Sequence, residues 1–534
     1  VRDNVTGNAY HSLYREGAPV RLPNGCYAED LSATRYYVYE HNVVGGSDWN
    51  PGEDSQKRYL DDPRFNFELL GGRDLALMHQ SSSAESAAGF RKQLADRATE
   101  IRQNENFPIG FHTYTWHEPG FDKGNPDFAM ILGFDDIVGE TNAGCATGDC
   151  RYIVPYLNAS IIDMTDRAWN LASREGNPLY GKYCLYGDAM TLDRNHAPVA
   201  TWKSSGQSMG RLSVGSTWWR EQLTRIAGNI INDIGAPGIY LDTLGGHYIP
   251  SFRTDNGDHP IGYGVWYPDR YKSVVKSIKE VKKATELTAK LRVVAAEHNS
   301  DAFYADIDMV MFYTMLDHDK QPTTIDIMPA VYSEYKIYAG SRSALGDDAL
   351  AHATKSAQHF ISGRQIGLNS HYELDGVPED RAAKLAYSRT LTLAHRALRN
   401  YLVYGEYLGP ADPNRAGSNT TLLTPKWCRN GQSRDDCNRF EVEVRVPAIR
   451  ASRWQYTDNT TRITNRVIVI TNASPESANG EIPVPGNWRN SANAPRTLCD
   501  PVAGSCEVIA VPVGEGDFVV PVSMPASSVR VLRF

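Results

Sequence analysis

Between about residues 73 and 369 the chain switches repeatedly from short apolar runs to stretches of helical periodicity. That alternation limits the possible fold more than any other feature. The apolar runs are Asp74–His79, Phe107–Trp116, Tyr152–Leu157, Gly238–Leu241, Arg292–Glu297, Asp308–Tyr313, Ile327–Tyr332 and Gln365–Asn369. Helical patterns cover 83–105, 216–234, 268–291, 348–362 and 379–404. Ser83 and Glu85 suit the start of the first helix, and Pro268 suits the first turn of the third. Eight strands alternating with helices predict an α/β fold, a (β/α)8 TIM barrel. Two long inserts, 158–215 and 243–266, follow the third and fourth strands. They fall on the face where barrels bind ligands.

Beyond about residue 410 the helical period disappears. Short alternating runs such as 439–446, 466–471, 506–512, 517–522 and 528–534 are separated by Pro, Gly, Asn and Asp. This predicts a C-terminal antiparallel β-sandwich domain. The expected organisation is an irregular or β segment over 1–70 packed on the barrel, the barrel over 71–409, and the sandwich over 410–534.

A chain of 534 residues with net charge −8 and pI about 6.0 has no basic stripe for nucleic acid. No apolar run is long enough to span a bilayer, so no membrane insertion is expected. The chain starts at Val1 without a signal-peptide pattern, which reads as a processed or trimmed form. The eight cysteines form three local pairs, Cys145 with Cys150, Cys428 with Cys437 and Cys499 with Cys506, and leave Cys26 to join Cys184. Even counts with local spacing read as disulfide staples of a secreted or periplasmic protein. Zinc is disfavoured because no C-x2-C spacing occurs. Asn-x-Ser/Thr sequons stand at Asn4, Asn158, Asn419, Asn459 and Asn472.

Two acids close neighbouring strands of the expected barrel, Asp242 the fourth and Glu297 the fifth. An acid after a strand also caps turns, so Asp242 alone carries two readings. As a pair, the acids match glycoside hydrolysis. That reaction needs one carboxylate at the anomeric carbon and a second carboxyl to protonate the leaving oxygen. The apolar approach to Glu297, Val293–Ala296, suits a general acid. Glu297 could otherwise partner an Arg or His in the barrel mouth. Other strand ends offer His112, Tyr114, Trp116, His117, Tyr156, Asn158, His298, Asp317, His318, Asp319, Asn369 and His371. His112, Tyr114 and Trp116 share one strand face by alternation, facing a ligand or filling barrel layers. The excess of Tyr and Trp, 29 and 10, suits sugar stacking as well as a large aromatic core. No metal-ligand spacing, phosphate loop or G-x-S-x-G elbow is found, so neither metal nor cofactor is expected.

The segments Ala236–Asp242, Ala295–Glu297 and Pro155–Asn158, followed by a sandwich, resemble barrel glycosidases. The likeness is greatest to secreted glycosidase-like proteins related to endo-α-N-acetylgalactosaminidases, and more distant to α-galactosidases and α-amylases. It covers roughly residues 70–534. The resemblance implies Asp242 as nucleophile and Glu297 as acid/base of a retaining α-glycoside hydrolase acting on an oligo- or polysaccharide. It further implies a sugar subsite shaped by His112, Trp116, Tyr156, His298 and Asn369. The α-galactosidase branch takes its acid from strand six, where Asp317 and Asp319 lie. The insert at 243–266 separates Asp242 and Glu297 further than in the galactosaminidases. The other readings are a non-catalytic carbohydrate-binding barrel, and an inverting or lyase-type enzyme with a Tyr or His base.

Overall fold

The computed structural model describes 9–16, 20–21, 27–28, 35–41, 76–80, 109–113, 153–163, most of 189–244, 251–252, 266–281, 293–297, 306–311, 327–333, 337–339, 347–365, 378–413, 420–428, 441–458, 460–488, 496–509 and 516–534. Near the amino end, Ala9–Glu16 pairs antiparallel with Arg35–His41, and Val20–Arg21 with Tyr27–Ala28.

Seven parallel strands build the central sheet: β1 (Ala76–Gln80), β2 (Ile109–Thr113), β3 (Ile153–Asn158), β4 (Gly238–Asp242), β5 (Val293–Glu297), β6 (Met309–Met311) and β7 (Ile337–Ala339). Each hydrogen-bonds to its sequence neighbours, and the order never reverses. A doubly wound sheet would change direction partway along. The unreversed order of these seven strands is the order that successive strands take in a (β/α)8 fold. The run expected as an eighth strand lies outside the described residues after Gln365.

One expected strand is a helix. Ile327–Tyr332 forms α3, and the seventh strand comes later, at Ile337–Ala339. Pro329, Tyr332 and Ser333 are buried while Ala330 and Val331 face outward, a helical period within a run too short to reveal it. Pro329 costs little there, because first-turn N–H groups have no helical acceptor.

Helix α1 (Thr217–Asn232) leads into β4, and α2 (Trp266–Lys279) precedes β5. Gly235, with φ 78°, turns the chain between α1 and β4. Gly238 then opens β4 against β5 so closely that a Cβ would lie 2.0 Å from the Val293 carbonyl oxygen. Asp308 ties α2 to the sheet: it accepts from Lys279 Nζ at 3.0 Å and from the Val294 N–H at 2.8 Å. After β3 the chain builds a three-stranded antiparallel sheet from Ile161–Asp163, Gln207–Arg211 and Ala200–Ser204. No helix among the described residues is long and apolar enough to cross a membrane.

The carboxyl-terminal strands are β8 (Glu406–Pro410), β9 (Ile449–Thr457), β10 (Thr464–Asn472), β11 (Ala478–Val484), β12 (Arg496–Cys499), β13 (Cys506–Ile509), β14 (Phe518–Met524) and β15 (Val529–Arg533). Six of them form one antiparallel sheet in the order β8-β9-β10-β15-β12-β13, and β11 pairs with β14. The middle strands of the larger sheet are buried on both faces. Ile468, Ile470 and Leu532 pack toward β11 and β14, while Val467, Val469 and Val531 pack on helices. Those helices are α4 (Ala349–Ile361) and α5 (Pro378–Ala397), and Phe360, Tyr387 and Leu391 supply the contact. Double burial explains the unbroken apolar run in β10, because no alternate position faces water. Gly363 follows α4 with φ 79°, and a Cβ there would meet Trp454 at 2.6 Å.

Cys499 and Cys506 are joined by a disulfide that closes the β12–β13 turn. Cys428 ends the short strand Lys426–Cys428, and its expected partner Cys437 lies outside the described residues. So do Cys26, Cys145, Cys150 and Cys184.

Candidate active site

The ends of β3 and β4 meet in register, Asp242 opposite Asn158 and Tyr240 opposite Tyr156. Alternation sends these four residues to one face of the sheet. Asp242 is half-buried; Tyr156, Asn158 and Tyr240 are buried. The tyrosine rings lie 6.0 Å apart, tilted by 33°.

Every oxygen of the Asp242 carboxylate receives a donor. Oδ2 accepts from the Tyr156 hydroxyl and from Asn158 Nδ2 at 3.1 Å. Oδ1 accepts from the Thr243 N–H at 2.9 Å. Asn158 also donates to the Tyr156 oxygen at 2.8 Å. Its own Oδ1 takes the N–H groups of Ser160 and Ile161, at 3.0 and 2.7 Å, and the Thr243 hydroxyl at 3.1 Å. Those two backbone donors fix which end of the amide is oxygen.

Two substrate contacts expected from the sequence take a different part. Asn158 is wholly buried and both its amide hydrogens go to protein oxygens, so it faces Asp242 and not a ligand. Tyr156 is 2% exposed, with its hydroxyl spent on Asp242. Burial also withdraws the Asn158 sequon from glycosylation. The same holds for Asn472, whose amide bonds the carbonyls of Glu476 and Pro525.

The segment after Asn158 is anchored from the helix layer. Trp219 Nε1 of α1 donates to the Ala159 carbonyl at 2.9 Å, and the Tyr271 hydroxyl of α2 approaches the same oxygen at 3.5 Å. The Ala159 N–H donates to the Asp242 carbonyl at 3.0 Å, which extends the β3–β4 ladder. Buried Ser160 Oγ stands 2.7 Å from Thr243 Oγ1 and accepts from the buried Arg211 guanidinium at 2.9 Å. Sequence reasoning missed Ser160, Arg211 and Thr243. Ser160 stood out only as part of a sequon, and nothing local marks the other two.

Glu297 closes β5. Its neighbour Ala296 pairs with Leu241, so Glu297 and Asp242 each stand one place beyond that pair on adjacent strands. Across β5 and β6, Glu297 pairs with Met311. His112 lies in β2, opposite His79 and Val154. Tyr114, Trp116, His117, His298, Asp317, His318, Asp319, Asn369 and His371 lie outside the described residues. Among the described residues no group of three or more His, Cys, Asp or Glu is placed to hold a metal ion.

The model of a domain of unknown function, DUF6259, matches residues 66–343. A Bacteroides thetaiotaomicron protein named "Putative glycoside hydrolase" is 26% identical over 325 residues, which are 60% of this chain and 44% of that protein. The chain thus spans less than half the length of the curated relative it matches. Among solved structures, a maltogenic α-amylase of Thermotoga neapolitana superposes with a TM-score of 0.49 at 10% identity, covering 86% of this chain and 99% of its own. An α-N-acetylgalactosaminidase of Bifidobacterium bifidum gives 0.45 at 12%, covering 77% and 60%. Likeness at this level carries no weight for fold or chemistry.

Proposed function

We propose that this chain, which belongs to the DUF6259 domain family, is a glycoside hydrolase with Asp242 as nucleophile and Glu297 as acid/base. The observation that carries the reading is the register of β4 and β5, which puts the two acids at one level on neighbouring strands. Neighbouring strands run about 4.8 Å apart. Retaining glycosidases hold their carboxyl groups about 5–5.5 Å apart, and inverting ones about 6.5–9.5 Å. Adjacent strand ends favour the shorter class. The name of the Bacteroides relative supports the same reaction class.

In the retaining, α-specific scheme, an Asp242 oxygen attacks the anomeric carbon as the glycosidic C–O bond breaks. Glu297 passes its proton to the departing oxygen. Water then gives a proton back to Glu297, attacks the same carbon and frees Asp242. The hydrogen bonds from Tyr156, Asn158 and Thr243 hold the carboxylate in one orientation, which conserves the entropy that attack would otherwise cost.

The substrate is an oligo- or polysaccharide. The residues we propose as sugar contacts are His112, Tyr114, Trp116, His298, Asp317, Asn369 and His371, as their expected strand-end positions and the resemblance to barrel glycosidases imply. The Cys499–Cys506 disulfide supports a secreted or periplasmic location, where such bonds persist.

The test is Asp242→Asn and Glu297→Gln, made separately and assayed on α- and β-linked aryl glycosides and oligosaccharides. Both should lose nearly all turnover on native linkages. Glu297→Gln should keep the first step on aryl glycosides with good leaving groups, which need no proton, so that aryl alcohol is released in a burst while the step needing Glu297 as base stays slow. Full activity in both variants would remove the acid pair from the reaction, whereas binding without turnover by the parent chain would indicate a carbohydrate-binding barrel.

A further inference from the structure

Thr243 has φ 62°, a left-handed conformation that β-branched residues rarely adopt. It directly follows Asp242, and its N–H donates to Asp242 Oδ1 at 2.9 Å. A conformation so unfavourable persists when surrounding structure determines it, and such residues cluster at functional sites. The restraints here are hydroxyl bonds with an assignable direction.

The assignment runs from the backbone. Asn158 Oδ1 accepts the N–H groups of Ser160 and Ile161, so the oxygen close to Thr243 Oγ1 is an acceptor and Thr243 gives it a hydrogen. Having spent that hydrogen, Thr243 must accept from Ser160 Oγ. Ser160 in turn accepts from Arg211, which has only donors. Asn158 Nδ2 donates to Asp242 Oδ2. All donors therefore point one way, from a buried cation through two hydroxyls and an amide to the carboxylate. Bonds aligned head to tail polarise one another, most of all away from water.

Resting on Asp242 as the attacking carboxylate, we propose that Arg211, Ser160, Thr243 and Asn158 act as one positioning unit that sets its direction. Thr243 is the hinge of this unit. Its hydroxyl is pinned between Ser160 and Asn158, and that pin keeps its N–H on Asp242 Oδ1. None of the four residues needs to touch substrate. Tyr156 also holds Oδ2, and its hydroxyl in turn accepts from Asn158.

A series arrangement has a kinetic signature. Once one link is cut the rest transmits nothing, so a second cut costs little more. Ser160→Ala and Thr243→Val, each close to isosteric, should lower kcat by roughly ten- to a hundredfold with KM within about twofold. The double variant should be no slower than the slower single. Thr243→Ser restores the hydroxyl and should return kcat to within about threefold of the parent. Crystal structures supply a readout free of activity: in Thr243→Val, residue 243 should leave the left-handed region and the Asp242 carboxylate should rotate.

The kinetic assay uses the aryl glycoside turned over fastest by the parent. Losses that multiply in the double variant, or a Thr243→Val enzyme with parental kcat, would overturn the unit. An unchanged Asp242 and residue 243 in the Thr243→Val crystal would do so too. If Asp242→Asn retained parental turnover, the assignment of the nucleophile would fail. The crystal comparison would still decide whether the four residues hold that side chain.

Discussion

The Lys355 ammonium lies 2.7 Å from Asp347 Oδ2, and both side chains are completely shielded from solvent. Lys355 belongs to α4, every residue of which from Ala351 to Ile361 is buried. The Trp427 ring lies 5.9 Å from its charge, and Trp427 Nε1 donates to Thr354 at 3.0 Å. A cation inside such a layer is tolerable only while its counter-ion stays. Lys355→Met should therefore destabilise the fold by about 3–5 kcal/mol, because Asp347 loses this buried counter-ion. Adding Asp347→Leu should recover most of the loss, and urea unfolding of the parent and the two variants checks both statements.

Acid should loosen the junction between the helices and the C-terminal sheet. Burial, with the charges of Lys384 and Lys355, pushes His352 down from 6.5 to about 3. Burial also lowers His395 to about 4, although its ring N–H donates to the Gly363 carbonyl at 3.1 Å. Both imidazoles are neutral when folded, and the unfolded chain binds their protons first. Stability is thus fully present above about pH 6.5 and declines as pH falls toward 4 and 3. The melting temperature should drop between pH 7 and 4.5, and His395→Gln, which keeps a donor for Gly363, should show a smaller drop.

Gly238→Ala should disturb chemistry and fold together. A Cβ there would lie 2.0 Å from the Val293 oxygen, so β4 and β5 would have to separate or shift in register. Backbone atoms cannot yield as a flexible side chain would. A cost above about 3 kcal/mol is expected, comparable with severe overpacking. Gly228→Ala is the control: its Cβ would find only Val281, at 4.0 Å, and it should fold like the parent.

Removing the nucleophile should permit substitution by a small anion. With Asp242→Gly and an activated α-glycoside, azide in the vacated space should give the β-glycosyl azide, detectable by proton NMR. An α-configured product would assign the attacking carboxylate elsewhere.

Much of this fold is legible in the sequence where burial and period coincide. Gly238–Asp242 stands out because four apolar or small residues end in one carboxylate between glycines. The strand Ile449–Thr457 does not stand out, since Arg450 and Ser452 occupy buried positions in it. Asp412 makes that possible by taking Arg450 in a two-point ion pair, at 3.0 and 2.8 Å, and the Ala451 N–H at 2.8 Å. Ala478–Val484 is disguised by Gly480 and Pro483, which a strand paired, among the described residues, only with β14 accepts. At the site, Asp242, Tyr156 and Asn158 are readable as strand ends. Ser160, Thr243 and Arg211 are not, because their bonds join positions 51 to 85 residues apart and leave no local periodicity.

The grip of Trp219 and Tyr271 on the Ala159 carbonyl bears on when the site comes into being. These contacts join Ala159 to residues 60 and 112 places further along. At about 5–20 residues per second, synthesis leaves the end of β3 waiting several seconds for the second helix to emerge. For the first part of that interval, until residue 243 is made, Asn158 and Ser160 have no Asp242 or Thr243 to hold. A growing chain therefore has no anchored nucleophile until the second helix has been made, about halfway along these 534 residues.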